Sequence, residues 1–253
     1  MKKFLLILLF LPLISCGNTI QGTPAIAYGN PETKTTDGLK NGDHTIWQTL
    51  LQKHVSKSGN VNYKGFQKDQ KELQAYLDVL AKNMPEKSWS KNAILAYWIN
   101  VYNAFTVQLI LDNYPVKSIK DINNPWGQKF FVLGTKKYSL EEVEHEILRK
   151  MDEPRIHFAI NCASFSCPNL LNEAYVEETL DKQLTQASKS FINDKTKNTI
   201  TAEKVEISSI FEWFSGDFTK NGNLIDFLNK YSSVKINSNA KISHKEYNWD
   251  LNE

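Results

Sequence analysis

The sequence predicts an α+β fold: a single, mainly helical domain with a small β-sheet or hairpins. Three observations predict it. Apolar residues recur at helical spacing through most of residues 43–253. Two stretches place strand-forming residues on both sides of a turn. One long segment, "KNAILAYWINVYNAFTVQLILDNYP", is apolar almost all round and must lie at the centre of whatever forms.

The elements follow in order. "DHTIWQTLLQKHVS" begins at a capping Asp43 and sets Ile46, Leu50 and Leu51 at helical spacing. "SGNVNYKGF" reads as a turn. "KELQAYLDVLAKN" repeats apolar residues at Leu73, Tyr76, Leu77 and Leu80, and Pro85 closes that helical region. "KFFVLGTKKYSL" reads as a hairpin about Gly134. Ser139 and Glu142 form a capping box for the helix "SLEEVEHEILRKM". "RIHFAI" reads as a buried strand. "YVEETLDKQLTQASKSFIN" puts Val176, Leu180, Leu184, Ala187 and Phe191 on one helix face, and "NTITAEKVEIS" is a second hairpin. Ser209 and Glu212 suit a cap for a short helix, and "NLIDFLNKYSS" is the last one.

The first residues give an address. Lys2 and Lys3 precede an apolar core, Phe4 to Ile14, that is too short to span a bilayer, which takes ~20 residues. Leu13-Ile14-Ser15-Cys16 resembles a bacterial lipobox, which implies removal of residues 1–15 and acylation (palmitate among the chains) of Cys16. Gly17 in second place favours the outer membrane, by resemblance to enterobacterial sorting. Residues 16–42 read as the acylated N-terminus and a flexible tether, rich in Gly, Thr, Asn and Pro. Residues 43–253 are then one globular domain. The chain carries 30 Lys+Arg against 28 Asp+Glu; loss of residues 1–15 removes two lysines and no acid, so the mature side chains are formally neutral. Nucleic acid, which wants a basic stripe, is not an expected partner. The expected partners are the membrane, through the lipid anchor, and a protein or peptide of unspecified kind.

In the central segment Asn100 and Asn103 share a helix face. A buried asparagine without partners costs ~1–3 kcal/mol. The pair therefore either holds neighbouring loops or lines a polar cleft. A membrane-spanning reading is poor, because Asn100, Asn103, Thr106 and Gln108 fall within the run.

"RIHFAINCASFSCP" concentrates the chemistry. Cys162 and Cys167 are separated by four residues. In an oxidising envelope the simplest reading is a disulfide. The alternative is a nucleophilic Cys162, with His145 as base, Asn100 or Asn103 as orienter, and the N–H groups of "ASFS" as an oxyanion hole. His157, in a regular strand, would face away from Cys162. His145 stands off the apolar stripe of its helix, with Glu141 one turn before and Arg149 one turn after. His145, His157, Cys162 and Cys167 are zinc-type ligands, but their spacing fits no recognised site, so no metal is expected. No phosphate loop or dinucleotide fingerprint is present, so no cofactor is expected. Trp213, Phe214 and Trp249 are either surface anchors or core, and core is the commoner fate.

The segments "AYWINVYNAF", "SLEEVEHEILR", "RIHFAINCASFSCP", "IFEWFSGDF" and "YNWDLN", in this order, resemble domain-of-unknown-function family 547 over about residues 45–252. The resemblance implies the fold and transfers no activity. The expectation is an envelope lipoprotein at the outer membrane, facing the periplasm. Its domain is a binding or structural module with a polar cleft around Asn100, Asn103, His145 and Cys162, or alternatively a cysteine-dependent hydrolase or acyl transferase.

Overall fold

A computed structural model describes residues 43–253. The leader, Cys16 and the tether lie outside the described residues. The predicted α+β class is the observed one: helices dominate, beside one two-stranded and one three-stranded sheet.

Helices α2 (Tyr63–Lys68) and α3 (Gln70–Lys82) pack on α4 (Lys91–Asn113), and α1 (Thr45–His54) packs on α2 and α3. Helix α4 starts at a true cap, where the Ser90 hydroxyl accepts from the Ala93 N–H. It is long and apolar enough to cross a membrane, yet its most apolar window is 94% buried within the protein. It is a core helix, and its all-round hydrophobicity reflects neighbours on every side. Of residues 58–66, expected as a turn, the first part does turn, at Gly59 with φ +84°, whereas Tyr63–Phe66 open α2, because Asn62 caps the Gly65 N–H.

The hairpin β1 (Phe131–Leu133) and β2 (Lys136–Tyr138) turns at Gly134, whose φ of +58° lies in the left-handed region. Ser139 caps the Glu142 N–H as expected. The reciprocal half of the box is missing: the Glu142 carboxylate goes to Lys129 and Lys136. The helix it opens is irregular, with a π-helical stretch over Glu142–Ile147 followed by a 3₁₀ turn over Leu148–Met151. "RIHFAI" is not a strand. Pro154–Phe158 form a 3₁₀ helix, entered at Pro154 and capped by Glu153. A short apolar run cannot by itself distinguish a buried strand from a buried helical turn.

Helix α5 (Leu180–Asn193) buries Leu180, Leu184, Ala187 and Phe191, the face expected. Strands β3 (Thr199–Ile200) and β4 (Lys204–Ser208) pair antiparallel, and β5 (Lys241–Lys245) joins β4 in parallel. Short helices α6 (Ile210–Trp213), α7 (Ser215–Thr219) and α8 (Leu224–Asn229) follow β4. Ser209 does not cap α6; its hydroxyl donates to the Lys245 carbonyl and ties α6 to β5.

Two hydrophobic clusters result. The larger surrounds α4. The smaller is aromatic, built from Phe158, Phe191, Phe211, Phe218 and Phe227. A cavity of about 380 Å³ opens on the seam between them, with Ile160 of the first cluster and Ile210 of the second on its walls.

Candidate functional site

The cavity is walled by the loop 161–168, by the π-helical stretch 142–147 and by the segment Tyr247–Trp249 facing Trp213 and Phe214, with residues 124–127 and Tyr102 of α4 completing the lining.

The loop is fixed from both sides. Asn103 donates to the Ala159 carbonyl at 3.0 Å and accepts from the Asn161 N–H at 2.8 Å. Asn161 in turn donates to the Pro168 carbonyl at 2.7 Å, which closes the loop on itself, and accepts from the Ala163 N–H at 2.9 Å. The C-terminal segment straps the outer side. Phe165 N–H donates to Asp250, Ser166 N–H to Asn248, and Asn252 N–H to Ala163. These bonds hold Ala163 at φ +59°, a left-handed conformation that costs a non-glycine residue ~1–2 kcal/mol. Asn100 does the same work elsewhere, exchanging two bonds with the backbone of Tyr175. Neither asparagine is on the cavity wall. Of the two uses weighed for them, the structure displays loop-holding.

Cys162 and Cys167 both line the cavity, the first half-buried and the second buried. Both are free thiols in the structure, with the expected disulfide unformed, but the sulfurs touch at 3.0 Å. The Cys162 sulfur also contacts the Ser164 hydroxyl at 3.1 Å and the Tyr247 hydroxyl at 3.4 Å. Hydrogen bonding with Cys167 first, then with Ser164 and Tyr247, outweighs burial and lowers the Cys162 thiol to about 7. Burial, and then the neighbouring Cys162, push the Cys167 thiol well up. The pair is therefore unequal.

Glu144 is buried on the same wall. Desolvation, then the charge of Cys162, raise its carboxyl to about 7, against a smaller opposing bond from Tyr102. His145 follows it into the cavity. Its Nδ1 lies 2.9 Å from the Arg149 guanidinium. Arginine can only donate, so Nδ1 accepts and the ring proton sits on Nε2. Burial, then Arg149, lower the His145 pKa, so the ring is neutral and offers an N–H. Arg149 itself forks onto Asp217 at 2.7 and 3.0 Å. Asp217 also accepts from His157 Nε2 at 2.7 Å, and these bonds hold its carboxyl far below the usual carboxylate range. His157 is buried, stacked on Phe214 at 4.1 Å, and lowered chiefly by desolvation.

The far wall is aromatic. Trp249 meets Tyr247 at 4.5 Å, Trp126 at 5.5 Å and Trp213 at 5.8 Å between ring centroids. Trp213, for which core is the commoner fate, is 47% exposed. Phe214 and Trp249 are half-buried.

The structure brings His145 and Cys162 to one cavity. Glu144, Tyr102, Ser164, Tyr247 and the ion-pair centre Asp217 are not among the residues singled out as candidates from the sequence. The available signal for Tyr247 was only that "YNWDLN" recurs as a motif. The hydrolase expectation meets two obstacles. The His145 tautomer presents a donor rather than a base. Within "ASFS" the N–H groups of Ala163, Phe165 and Ser166 are already donated to Asn161, Asp250 and Asn248, which leaves at most the Ser164 N–H where an oxyanion hole takes a pair of donors. Among the described residues no group of three or more His, Cys, Asp or Glu side chains is placed to hold a metal ion.

No curated protein and no solved structure matches the chain. Residues 86–192, from the approach to α4 through the cysteine loop to the end of α5, match the family described as "Protein of unknown function, DUF547", which supports the resemblance carried by the motifs of that stretch.

Proposed function

We propose that the chain is an envelope lipoprotein whose domain binds a small ligand, or a side chain of a peptide, in the cleft between the cysteine loop and the aromatic wall. The observation that carries the binding reading is the exposed face of Trp213 stacked beside Tyr247 and Trp249 over the cavity of about 380 Å³. Exposed aromatic rings around a concavity cost solvation unless something covers them, and a mostly apolar pocket with a few convergent polar groups is the usual form of a binding site. The polar groups here are the His145 Nε2–H, the Glu144 carboxyl and the Tyr247 hydroxyl. They suit a flat apolar ligand with a polar edge.

Titration with the dye 1-anilinonaphthalene-8-sulfonate tests this reading. One saturable site is expected, weakened several-fold by Trp213→Ala with the fold intact by circular dichroism. Dye binding that is unsaturable or indifferent to Trp213 would contradict it.

The envelope reading rests on the basic start, the short apolar core and Cys16. Two or more acyl chains anchor stably, whereas one binds only marginally. Cys16→Ser should move the protein from the detergent phase to the aqueous phase; unchanged membrane retention would reject the lipid anchor.

A further inference from the structure

The cysteine pair has no part in the binding reading, and its arrangement is specific. Both cysteines line the cavity with their sulfurs in contact, Cys162 half-buried and Cys167 buried. The loop carrying both is clamped by Asn103, by its own Asn161–Pro168 bond and by the C-terminal strap. The Cys162 N–H points at the Cys167 sulfur at 2.9 Å, while hydroxyls of Ser164 and Tyr247 surround the Cys162 sulfur. Acyl transfer would need a base and an oxyanion hole; thiol–disulfide exchange needs neither. It needs a thiolate that a disulfide can reach and a second thiol within bonding distance of the first.

We propose that Cys162 and Cys167 form a thiol–disulfide exchange centre, with Cys162 as the attacking sulfur, Cys167 as the resolving sulfur, and the disulfide of an aromatic or apolar thiol as substrate. In the first step the Cys162 thiolate attacks one sulfur of R–S–S–R. A Cys162–S–S–R bond forms, the substrate bond breaks, and RS⁻ leaves with the electron pair. In the second step the Cys167 sulfur attacks the Cys162 sulfur. The Cys162–Cys167 bond forms, the second RS⁻ departs, and it takes the proton that Cys167 loses. The protein dithiol is oxidised by two electrons and the substrate is reduced to two thiols. Closing the bridge brings the sulfurs from 3.0 Å to the ~2.05 Å of a disulfide, a movement of about 1 Å. The bridge expected from the sequence is then the oxidised half of the cycle and the structure the reduced half. A dithiol of a partner protein resets it. The unequal thiols fit these roles: Cys162 is the more accessible and its pKa is lowered, whereas Cys167 is buried and its pKa is raised.

The test uses the full chain carrying Cys16→Ser, so that only the loop thiols respond, reduced and freed of reductant. The probe is 5,5′-dithiobis(2-nitrobenzoate), an aromatic disulfide whose released thiolate is coloured. The expected result is two thiolates released per chain. The product should carry no adduct and be lighter than the reduced protein by the two lost thiol hydrogens. Cys167→Ala, and Cys167→Ser as a second packing choice, should stop at one thiolate with a stable adduct on Cys162. Cys162→Ala should react at least ~10-fold more slowly, through the buried Cys167 alone. Wild-type loop thiols that each keep an adduct, or a lasting single adduct with Cys167 free, would overturn the proposal. The centre uses the cleft only for access. Release of two thiolates without saturable dye binding would therefore reject the binding reading and leave the exchange reading standing, and the converse pattern would do the reverse.

Discussion

The two ends of the cleft are both polar, yet they differ in what their groups are free to do. Behind one end Arg149, Asp217 and His157 satisfy one another, and His145 is tied in through Nδ1, which leaves only its Nε2–H for the cavity. At the other end two thiols and two hydroxyls share contacts that a single proton can rearrange, and the buried Glu144 carboxyl responds to the charge of Cys162. The first end is a brace that joins the 3₁₀ and π-helical segments to α7. The second is where chemistry is available. A cluster of His, Arg and Asp is the more conspicuous in a sequence, but apart from the His145 Nε2–H its groups are committed to holding the wall in place.

Breaking the brace should have the largest effect. Asp217→Ala leaves the buried His157 and the Arg149 guanidinium without their acceptor, and should destabilise the domain by about 3–5 kcal/mol in chemical denaturation. If the comparison holds, the surviving folded protein still labels preferentially at Cys162.

The next effect is a pH dependence from the reactive end. The Glu144 carboxyl is raised from 4.5 to about 7 by burial and by Cys162. Between those values the folded state holds more protons than the unfolded state. The contribution of Glu144 to stability is therefore fully present below about 4.5 and is lost as pH rises through about 7, by at most about 3 kcal/mol. Glu144→Gln should flatten that part of the stability–pH curve, and an unchanged curve would place the carboxyl in solvent.

A smaller effect is expected at the loop clamp. Asn103→Ala removes partners from the Ala159 carbonyl and the Asn161 N–H, which should cost about 2–3 kcal/mol. It should also speed alkylation of Cys167, because the loop that hides that thiol is loosened. The smallest is at the aromatic rim, where Trp213→Ala should change stability by under about 0.5 kcal/mol while weakening dye binding.

Legibility followed physics rather than chemical interest. Helix α4 was readable because a segment buried on all sides must be apolar on all sides. Helix α5 was readable because one face alone is buried. Strand β5 was not, since Lys241, Ser243, His244 and Lys245 give it no buried face and only its pairing with β4 makes it a strand. "RIHFAI" is too short for its period to separate strand from helical turn. At the site, His145 and Cys162 were readable by residue type and position. Tyr247 was not, because it reaches Cys162 from 85 residues away, and the burial of Glu144 depends on where the π-helical stretch points it. Asp217 was not readable either, because its partners, Arg149 and His157, come from other segments.

The central claim is that the reactive end is an unequal pair of thiols with Cys162 ionised near neutral pH. Iodoacetamide labelling of the reduced Cys16→Ser chain, resolved by peptide mass across pH 5–10, tests it directly. The account predicts selective labelling of Cys162 with a midpoint near 7 and Cys167 protected throughout the neutral range. A midpoint near the ordinary thiol value of ~8.5, or equal labelling of both cysteines, would contradict it.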